Sequence, residues 1–225
     1  MLLALDTSTA LASVALYDGT LRAEATWHAG RNHSQQVLPM AVRLLEEQGL
    51  GPDALTAVGV AIGPGSYTGV RVGLALAKGL AAARRLPLVG VGTLDVLAAP
   101  LVTSGRPVRP ALDAGRRRYA TALYVREGEA LVQTEPIRGV DLDGLVALVR
   151  PPVVVTGDLD APARSRLAAQ PAGAADYGKE GGPAVEIASP AAAVRRAGFL
   201  AELAWRRLAA DGGSDPATVD AIYVG

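Results

Sequence analysis

Cysteine is absent from the 225-residue chain, and histidine occurs only twice, as His28 and His33. The absence of cysteine excludes disulfide scaffolds, thiolate nucleophiles and zinc sites with cysteine ligands. Two histidines in one short polar loop, with no third ligand, make a weak metal site. We therefore expect neither a multi-histidine metal centre nor a cysteine-based active site.

Charged residues are few and balanced, with 22 lysines and arginines against 22 acidic residues and a formal net charge of zero. No field of the whole protein therefore draws it towards nucleic acid or a membrane surface. Half of the residues are hydrophobic, which excludes a disordered chain, yet no apolar run approaches the roughly 20 residues of a spanning helix. We expect a soluble, cytoplasmic protein without membrane contact.

The first half of the chain has the pattern of a three-stranded meander followed by alternating helices and strands. Alternating or continuous apolar residues predict strands over 2–5, 11–17 and 21–27, the last two joined by an Asp-Gly turn. The later elements predicted for this half are a helix over 34–48 with Ser34 as its N-cap, a strand over 57–62, a helix over 69–84, a strand over 88–91 and a helix over 93–101 with Thr93 as its cap.

The second half repeats this order. The elements predicted there are strands over 108–112, 119–125 and 130–134, a helix over 142–149, a strand over 152–156 and a long helix over 190–209. The sequence predicts no element for 160–188, which is rich in Pro, Gly and Ala. The repeat predicts two α/β lobes, 1–104 and a smaller one over 105–225, with a cleft between them. A doubly wound parallel sheet is the alternative, and the two meanders argue against it.

One long segment, 62–80, has the distinctive sequence IGPGSYTGVRVGLALAKGL. Three shorter stretches accompany it in order, which are LALDTST at 3–9, NHSQQVLP at 32–39 and LDAGR at 112–116. Together they resemble the TsaB (YeaZ) family of tRNA threonylcarbamoyladenosine biosynthesis proteins. The resemblance is dense over 1–125 and thin after about 135.

This resemblance implies a fold and a set of partners. The implied fold is α/β and actin-like, of the acetate kinase/Hsp70/actin type, with two duplicated β-β-β-α-β-α lobes. The implied role is a non-catalytic subunit that binds and stabilises the catalytic paralogue TsaD, in a system that includes the ATPase TsaE. That system forms N6-threonylcarbamoyladenosine at position 37 of tRNAs that read ANN codons, so contact with tRNA would be indirect. ATP or ADP and metal are expected on the partner subunits and not on this chain. A homodimer of the chain alone, which would use the same interface and could have an unrelated regulatory role, stays open.

Two sites bear on whether the chain is itself an enzyme. The resemblance implies two metal-binding histidines in the catalytic paralogue, and Thr93 and Leu97 stand at those positions here. The second phosphate turn of an actin-like fold should be rich in glycine, whereas Arg116–Arg118 make the turn at 113–118 bulky and cationic. Phosphate binding by these arginines and a solvated hairpin tip both stay open. The alternative function, an independent actin-fold enzyme that acts as a small-molecule kinase or is metallopeptidase-like, is disfavoured by both sites.

The first phosphate turn is formed by Asp6, Thr7 and Ser8, directly after the first strand. Its carboxylate and hydroxyls suit phosphate or magnesium, but an ordinary Asp/Thr turn explains them equally well. A site here would be a vestige of a phosphate turn. The glycine-rich turn at 63–69 does not match the P-loop pattern. We therefore predict that its glycines serve a tight turn, and that Gly69 and Gly73 allow close helix packing.

The two helices predicted over 34–48 and 69–84 carry more apolar residues than one core-facing stripe requires. Packing on the sheet accounts for most of these residues. The resemblance implies that both helices meet the equivalent pair of TsaD, or of a second copy, in a four-helix interface. The residues predicted to form this interface are Val37, Met40, Ala41, Leu44, Val70, Arg71, Leu74 and Lys78.

Overall fold

The computed structural model describes residues 1–128, 130–170 and 184–224, which form two compact units. Unit 1 comprises Met1–Val96 and Arg195–Tyr223, and unit 2 comprises the described part of 97–194 together with Val224. This division differs from the predicted lobes 1–104 and 105–225. The C-terminal helix joins unit 1, because its apolar residues pack on the first sheet.

The secondary structure agrees with the α/β class. The strands are β1 (Leu2–Asp6), β2 (Leu11–Tyr17), β3 (Leu21–His28), β4 (Ala57–Ala61), β5 (Leu88–Val91), β6 (Val108–Asp113), β7 (Tyr119–Thr121), β8 (Tyr124–Glu127), β9 (Ala130–Gln133), β10 (Arg138–Val140), β11 (Val153–Gly157) and β12 (Val185–Ile187). The α-helices are α1 (His33–Glu47), α2 (Tyr67–Arg84), α3 (Thr93–Ala98), α4 (Leu142–Leu148), α5 (Ala161–Ala168) and α6 (Ala197–Asp211). Two 3₁₀ helices cover Pro52–Ala54 and Ala99–Ser104.

Unit 1 contains a mixed five-stranded sheet in the order β3-β2-β1-β4-β5. The meander β1-β2-β3 is antiparallel, and β1, β4 and β5 run parallel to one another. This is the predicted succession of three strands, a helix, a strand and a helix. All five strands of the sheet were predicted to within one residue at each end.

Helices cover both faces of this sheet. Successive residues of a strand point to opposite faces, and in β1 Leu3 and Leu5 pack in the core with α1 and α2. Leu2 and Ala4 pack on the other side with α6. Because β1 is buried on both faces, it is a continuous apolar run rather than an alternating one.

The start of α6 is set by contacts from strands that lie far away in sequence. Ser13 Oγ accepts a hydrogen bond from the backbone N–H of Ala197 at 2.8 Å. Glu24 Oε1 accepts one from Gly198 at 2.8 Å, and its other oxygen binds the Arg196 side chain. The predicted helix over 190–209 was therefore wrong at its start, since 190–196 lie in turns and extended backbone.

Three smaller predictions in the first unit and beyond it need correction. Helix α1 begins at His33 with Asn32 at the N-cap, so Ser34 lies in the first turn and does not cap the helix. Thr93 is the first residue of α3, which ends at Ala98 and continues as a 3₁₀ helix. The predicted strand over 119–125 is two strands, β7 and β8.

Unit 2 contains a seven-stranded sheet with the path β10-β7-β6-β11-β12, and β8 pairs with both β6 and β9. Helices α4 and α5 pack near its core, in which Leu145, Leu167 and Val155 are buried. The strands β10 and β12 and the helix α5 were not predicted. Part of the uninterpreted segment 160–188 is now seen as α5 and β12, while 171–183 lies outside the described residues. Among the described residues, none of the helices has the length and apolarity needed to cross a membrane.

Candidate functional site

The predicted first phosphate turn follows β1 and is buried. Asp6, Thr7 and Ser8 are each 1% exposed or less. Asp6 Oδ1 accepts hydrogen bonds from the backbone N–H of Ser8 at 2.8 Å and from the Ser8 hydroxyl at 2.6 Å. One carboxylate oxygen is thus used to fix the turn itself.

The glycine-rich turn and the start of α2 pack directly against this phosphate turn. The Thr7 hydroxyl donates to the carbonyl of Gly69 at 2.7 Å. A Cβ at Gly69 would lie 2.2 Å from the Thr7 carbonyl oxygen, and a Cβ at Gly73 would lie 2.2 Å from Thr7 Oγ1. A Cβ at Gly65 would meet the Ser8 carbonyl oxygen at the same distance. The predicted role of Gly69 and Gly73 in close packing is confirmed.

A buried arginine provides the charge that balances Asp6. Arg195 is 2% exposed, and its Nε lies 3.8 Å from Asp6 Oδ2, which has no hydrogen bond from the described residues. The Arg195 guanidinium also donates to the Thr9 hydroxyl, and His33 Nε2 bonds the Thr9 carbonyl oxygen at 2.7 Å. The position beside Asp6 where a bound cation would neutralise the carboxylate is held by a side chain of the same chain.

The turn between β6 and β7 in unit 2 was the predicted second phosphate turn. Arg116 and Arg117 have φ values of 53° and 59°, in the left-handed region, and both side chains are exposed. The turn borders a polar depression of about 620 Å³ that carries both signs of charge. The charged residues lining it are Asp113, Asp141, Asp143, Asp158, Asp160, Arg116, Arg117, Arg118 and Arg166. The aspartate carboxylates in this lining would repel a bound phosphate. The role of Arg116–Arg118 therefore stays a prediction.

Tyr119 lies in the same depression of unit 2. Burial raises the pKa of its phenol, and the carboxylates of Asp160 and Asp113 raise that pKa further. The phenol is therefore neutral at physiological pH. Among the described residues, no three His, Cys, Asp or Glu side chains are grouped so that they could hold a metal ion.

Most of the residues predicted to form the partner interface lie in the core of unit 1. The buried ones are 0–8% exposed and are Val37, Ala41, Leu44, Val70 and Leu74. Their burial leaves little of these five side chains for a partner to touch in the folded unit, and only Leu74 among them lines a surface groove. The interface formed by these residues therefore stays a prediction. Met40 and Lys78 are half-buried, and Arg71 is exposed.

Other apolar side chains on and beside the same two helices are exposed. Leu38 and Val42 on α1 are 37% and 44% exposed, and Tyr67 at the start of α2 is 57% exposed. The Arg71 guanidinium lies 3.8 Å from the centre of the Tyr67 ring, and its Nε donates to the Tyr223 hydroxyl at 3.0 Å. We call these five residues, Leu38, Val42, Tyr67, Arg71 and Tyr223, the α1/α2 surface. Helical spacing could have predicted that Leu38 and Val42 lie on a different face of α1 from the buried Val37 and Ala41. No local sequence pattern indicates that Tyr223 lies beside α2.

Comparisons with known proteins match the chain to proteins of one tRNA modification. The family model for TsaD, tRNA N6-adenosine threonylcarbamoyltransferase, matches residues 27–152. The tRNA threonylcarbamoyladenosine biosynthesis protein TsaB of Bacillus subtilis is 37% identical over 142 residues, which are 63% of this chain and 62% of that protein. TsaB of Escherichia coli is also 37% identical over 142 residues, 62% of this chain and 61% of that protein.

A solved structure, YeaZ from Pseudomonas aeruginosa, superposes with a TM-score of 0.79 at 25% identity over 99% of each chain. The alignments with the two curated relatives span only about three fifths of the length of those proteins. The similarity in structure therefore extends further along the chain than the similarity in sequence.

Proposed function

The chain belongs to the TsaB (YeaZ) proteins, within the family of the tRNA N6-adenosine threonylcarbamoyltransferases, and from this premise we propose that it is a non-catalytic subunit of a cytoplasmic tRNA-modifying complex. The complex forms N6-threonylcarbamoyladenosine at position 37 of tRNAs that read ANN codons. This chain binds and stabilises the catalytic TsaD subunit, and the ATPase TsaE acts in the same system. Contact with tRNA is through the complex.

The observation that carries the proposal is the filled phosphate turn of unit 1. A nucleotide-binding turn needs open backbone N–H groups and a carboxylate that can face magnesium. Here one carboxylate oxygen of Asp6 accepts a hydrogen bond from Ser8, and the other lies near the guanidinium of Arg195. Helix α2 packs closely on Thr7 through its glycines. The turn has become part of the core, which supports a binding subunit rather than an enzyme.

The residues at the implied metal positions support the same proposal. Thr93 and Leu97 are 0% and 2% exposed. An isobutyl group cannot bind a metal, and one buried hydroxyl cannot replace two imidazoles. The donor set does not fit a metal ion, so no catalytic step is assigned to it.

We expect the α1/α2 surface to contact the TsaD subunit. The double variant Leu38→Glu/Val42→Glu places two charges on an apolar contact without touching the core, so we expect it to weaken the complex at least about 10-fold. Size-exclusion chromatography with light scattering of the mixture with TsaD from the same source measures this. Leu21→Glu changes an exposed leucine of the same unit on β3 (45% exposed) and serves as the matched control.

Two results contradict this assignment. One is that wild-type chain and TsaD elute separately under every nucleotide condition. The other is that Leu21→Glu weakens the complex as much as the α1 double variant does. The same chromatograms give the mass of the chain alone, and a dimer that the double variant converts to a monomer assigns the same surface to self-association in the absence of TsaD.

The alternative, an independent kinase of the actin-like type, predicts that the chain binds nucleotide by itself. A ligand present at about 1,000 times its Kd stabilises a protein by about 4 kcal/mol. We expect millimolar ATP with magnesium to shift the melting temperature of the isolated chain by less than about 1 °C, because the Asp6 turn is closed. A shift that corresponds to micromolar affinity favours the kinase.

A further inference from the structure

A groove runs along one side of α2 in unit 1, between the helix and the C-terminal segment 212–223. It consists of two depressions of about 440 and 720 Å³ that share Lys78 as a lining residue. The residues of α2 and of the turn after it alternate along the groove between small or apolar side chains and cations. The apolar ones are Leu74, Ala75, Ala81, Ala82, Leu86 and Pro87.

The cations in this groove recur at a fixed interval. Arg71, Lys78 and Arg85 are each seven residues apart, and for Arg71 and Lys78, which both lie in α2, this is about two helical turns, or about 10 Å along the axis. No acidic residue occurs in α2. The interval places Arg71 and Lys78 on one side of α2, and Arg85, the left-handed residue that caps the C-terminus of α2, lines the same groove.

The three cations are available for exchange with a partner. Stacking on Tyr67 and the bond to Tyr223 hold the Arg71 guanidinium in place, so little conformational entropy is lost when it binds a carboxylate. Lys78 lies 3.7 Å from Asp220, whose side chain is 89% exposed, and such an exposed pair contributes little. Arg85 is exposed at the end of α2. Asp215, which also lines the groove, accepts a hydrogen bond from Ala217 in a local turn.

We propose that this groove binds an amphipathic helix of the partner subunit that carries carboxylates at seven-residue intervals with aliphatic residues between them. This rests on the proposed function, because it takes the helix from the partner of that complex. The carboxylates pair with the three cations, and the aliphatic residues cover the small apolar floor, as in other helix-in-groove complexes. The contact extends the α1/α2 surface, since Arg71 and Tyr223 belong to both.

Neither a second copy nor RNA matches the groove as well. Among the helices that the structure describes, none has two carboxylates seven residues apart, so the chain cannot supply the helix itself. Two α2 helices facing each other would bring like charges together. An apolar floor along the whole groove does not suit a phosphate backbone, for which the protein also lacks net positive charge.

Fluorescence anisotropy with two designed, stapled helical peptides tests the proposal on the isolated chain. One peptide carries Glu at seven-residue intervals with Leu and Ala between them, and the other has Gln in place of each Glu. We expect the Glu peptide to bind at least about 10-fold more tightly than the Gln peptide. The triple variant Arg71→Gln/Lys78→Gln/Arg85→Gln removes this difference, whereas Arg206→Gln, at an exposed and ion-paired arginine on α6, keeps it.

Equal binding of both peptides overturns the proposal, as does a triple variant that binds the Glu peptide like the wild type. If the chain binds tRNA but not the Glu peptide, and the triple variant does not bind tRNA, the groove is assigned to RNA instead.

The failures of this inference and of the proposed function are distinguishable. If TsaD binds the triple variant as tightly as the wild type, the groove assignment fails and the subunit role stands. If TsaD does not bind but the Glu peptide does, the subunit role fails and the groove takes a helix of another protein.

Discussion

Replacement of Arg195 by Met is expected to lower the free energy of unfolding by about 3–5 kcal/mol, the usual cost of leaving a buried charge without its partner. Asp6 and Arg195 are each about 2% exposed, and they lie 3.8 Å apart. Methionine keeps the apolar stem of the side chain and removes only the guanidinium. Urea denaturation followed by circular dichroism measures the change.

A double-mutant cycle separates this ion pair from the packing of Arg195. Asp6→Asn keeps the oxygen that accepts from Ser8 and removes the charge, so the double variant Asp6→Asn/Arg195→Met contains no buried charge at this position. We expect the double variant to regain at least about 2 kcal/mol relative to Arg195→Met. Additive losses, or an Arg195→Met variant within about 0.5 kcal/mol of wild type, contradict the idea that the arginine neutralises the turn.

Replacement of Gly69 by Ala is expected to cost at least about 3 kcal/mol, although alanine is the better helix former. Its Cβ would lie 2.2 Å from the Thr7 carbonyl oxygen, and a backbone atom cannot move away as a flexible side chain can. The start of α2 must shift, which strains the packing and breaks the buried bond from Thr7 to Gly69. Thermal and urea unfolding both measure this loss.

Gly79 provides the matched control on the same helix. Nothing lies within 4 Å of a Cβ at Gly79, so Gly79→Ala should stabilise the protein by about 0.5–1 kcal/mol through helix propensity alone. The two substitutions are chemically identical and are expected to have opposite signs. If both substitutions stabilise the protein, α2 does not pack tightly on the turn, and the turn is not closed to nucleotide.

The sheet of unit 1 was predictable because its signals are local. The strands β1, β2 and β4 consist mostly of apolar residues and are bounded by turn residues. Helix α2 follows a turn rich in glycine and proline, which is a strong local signal for where the preceding strand ends. In unit 2, β10 and β12 have three residues each, too few for a periodic pattern to show. The start of α6 depends on hydrogen bonds from Ala197 and Gly198 to Ser13 and Glu24. These two residues are far from α6 in sequence, so a local pattern cannot predict the contacts.

The candidate site was predictable only in part. The polar turn at Asp6 could be found because its residues are consecutive, but the residue that closes it, Arg195, is 186 positions from Thr9, to which it is bonded. On the helices, apolar composition indicated an interface but could not say which residues face outward. The exposed residues are sequence neighbours of the predicted ones, Leu38 beside Val37 and Val42 beside Ala41. The most apolar face of each helix packs on the sheet, and only the adjacent apolar residues remain exposed.

The most direct test of the subunit role is the formation of N6-threonylcarbamoyladenosine on tRNA, measured by mass spectrometry of nucleosides in a reconstituted system that contains TsaD and TsaE. We predict that the chain alone forms no modified nucleoside and that omitting it abolishes formation by its partners. Leu38→Glu/Val42→Glu is expected to behave like the omission, and Leu21→Glu like the wild type. Modification by the chain alone, or undiminished modification without it, would contradict the role of a non-catalytic subunit.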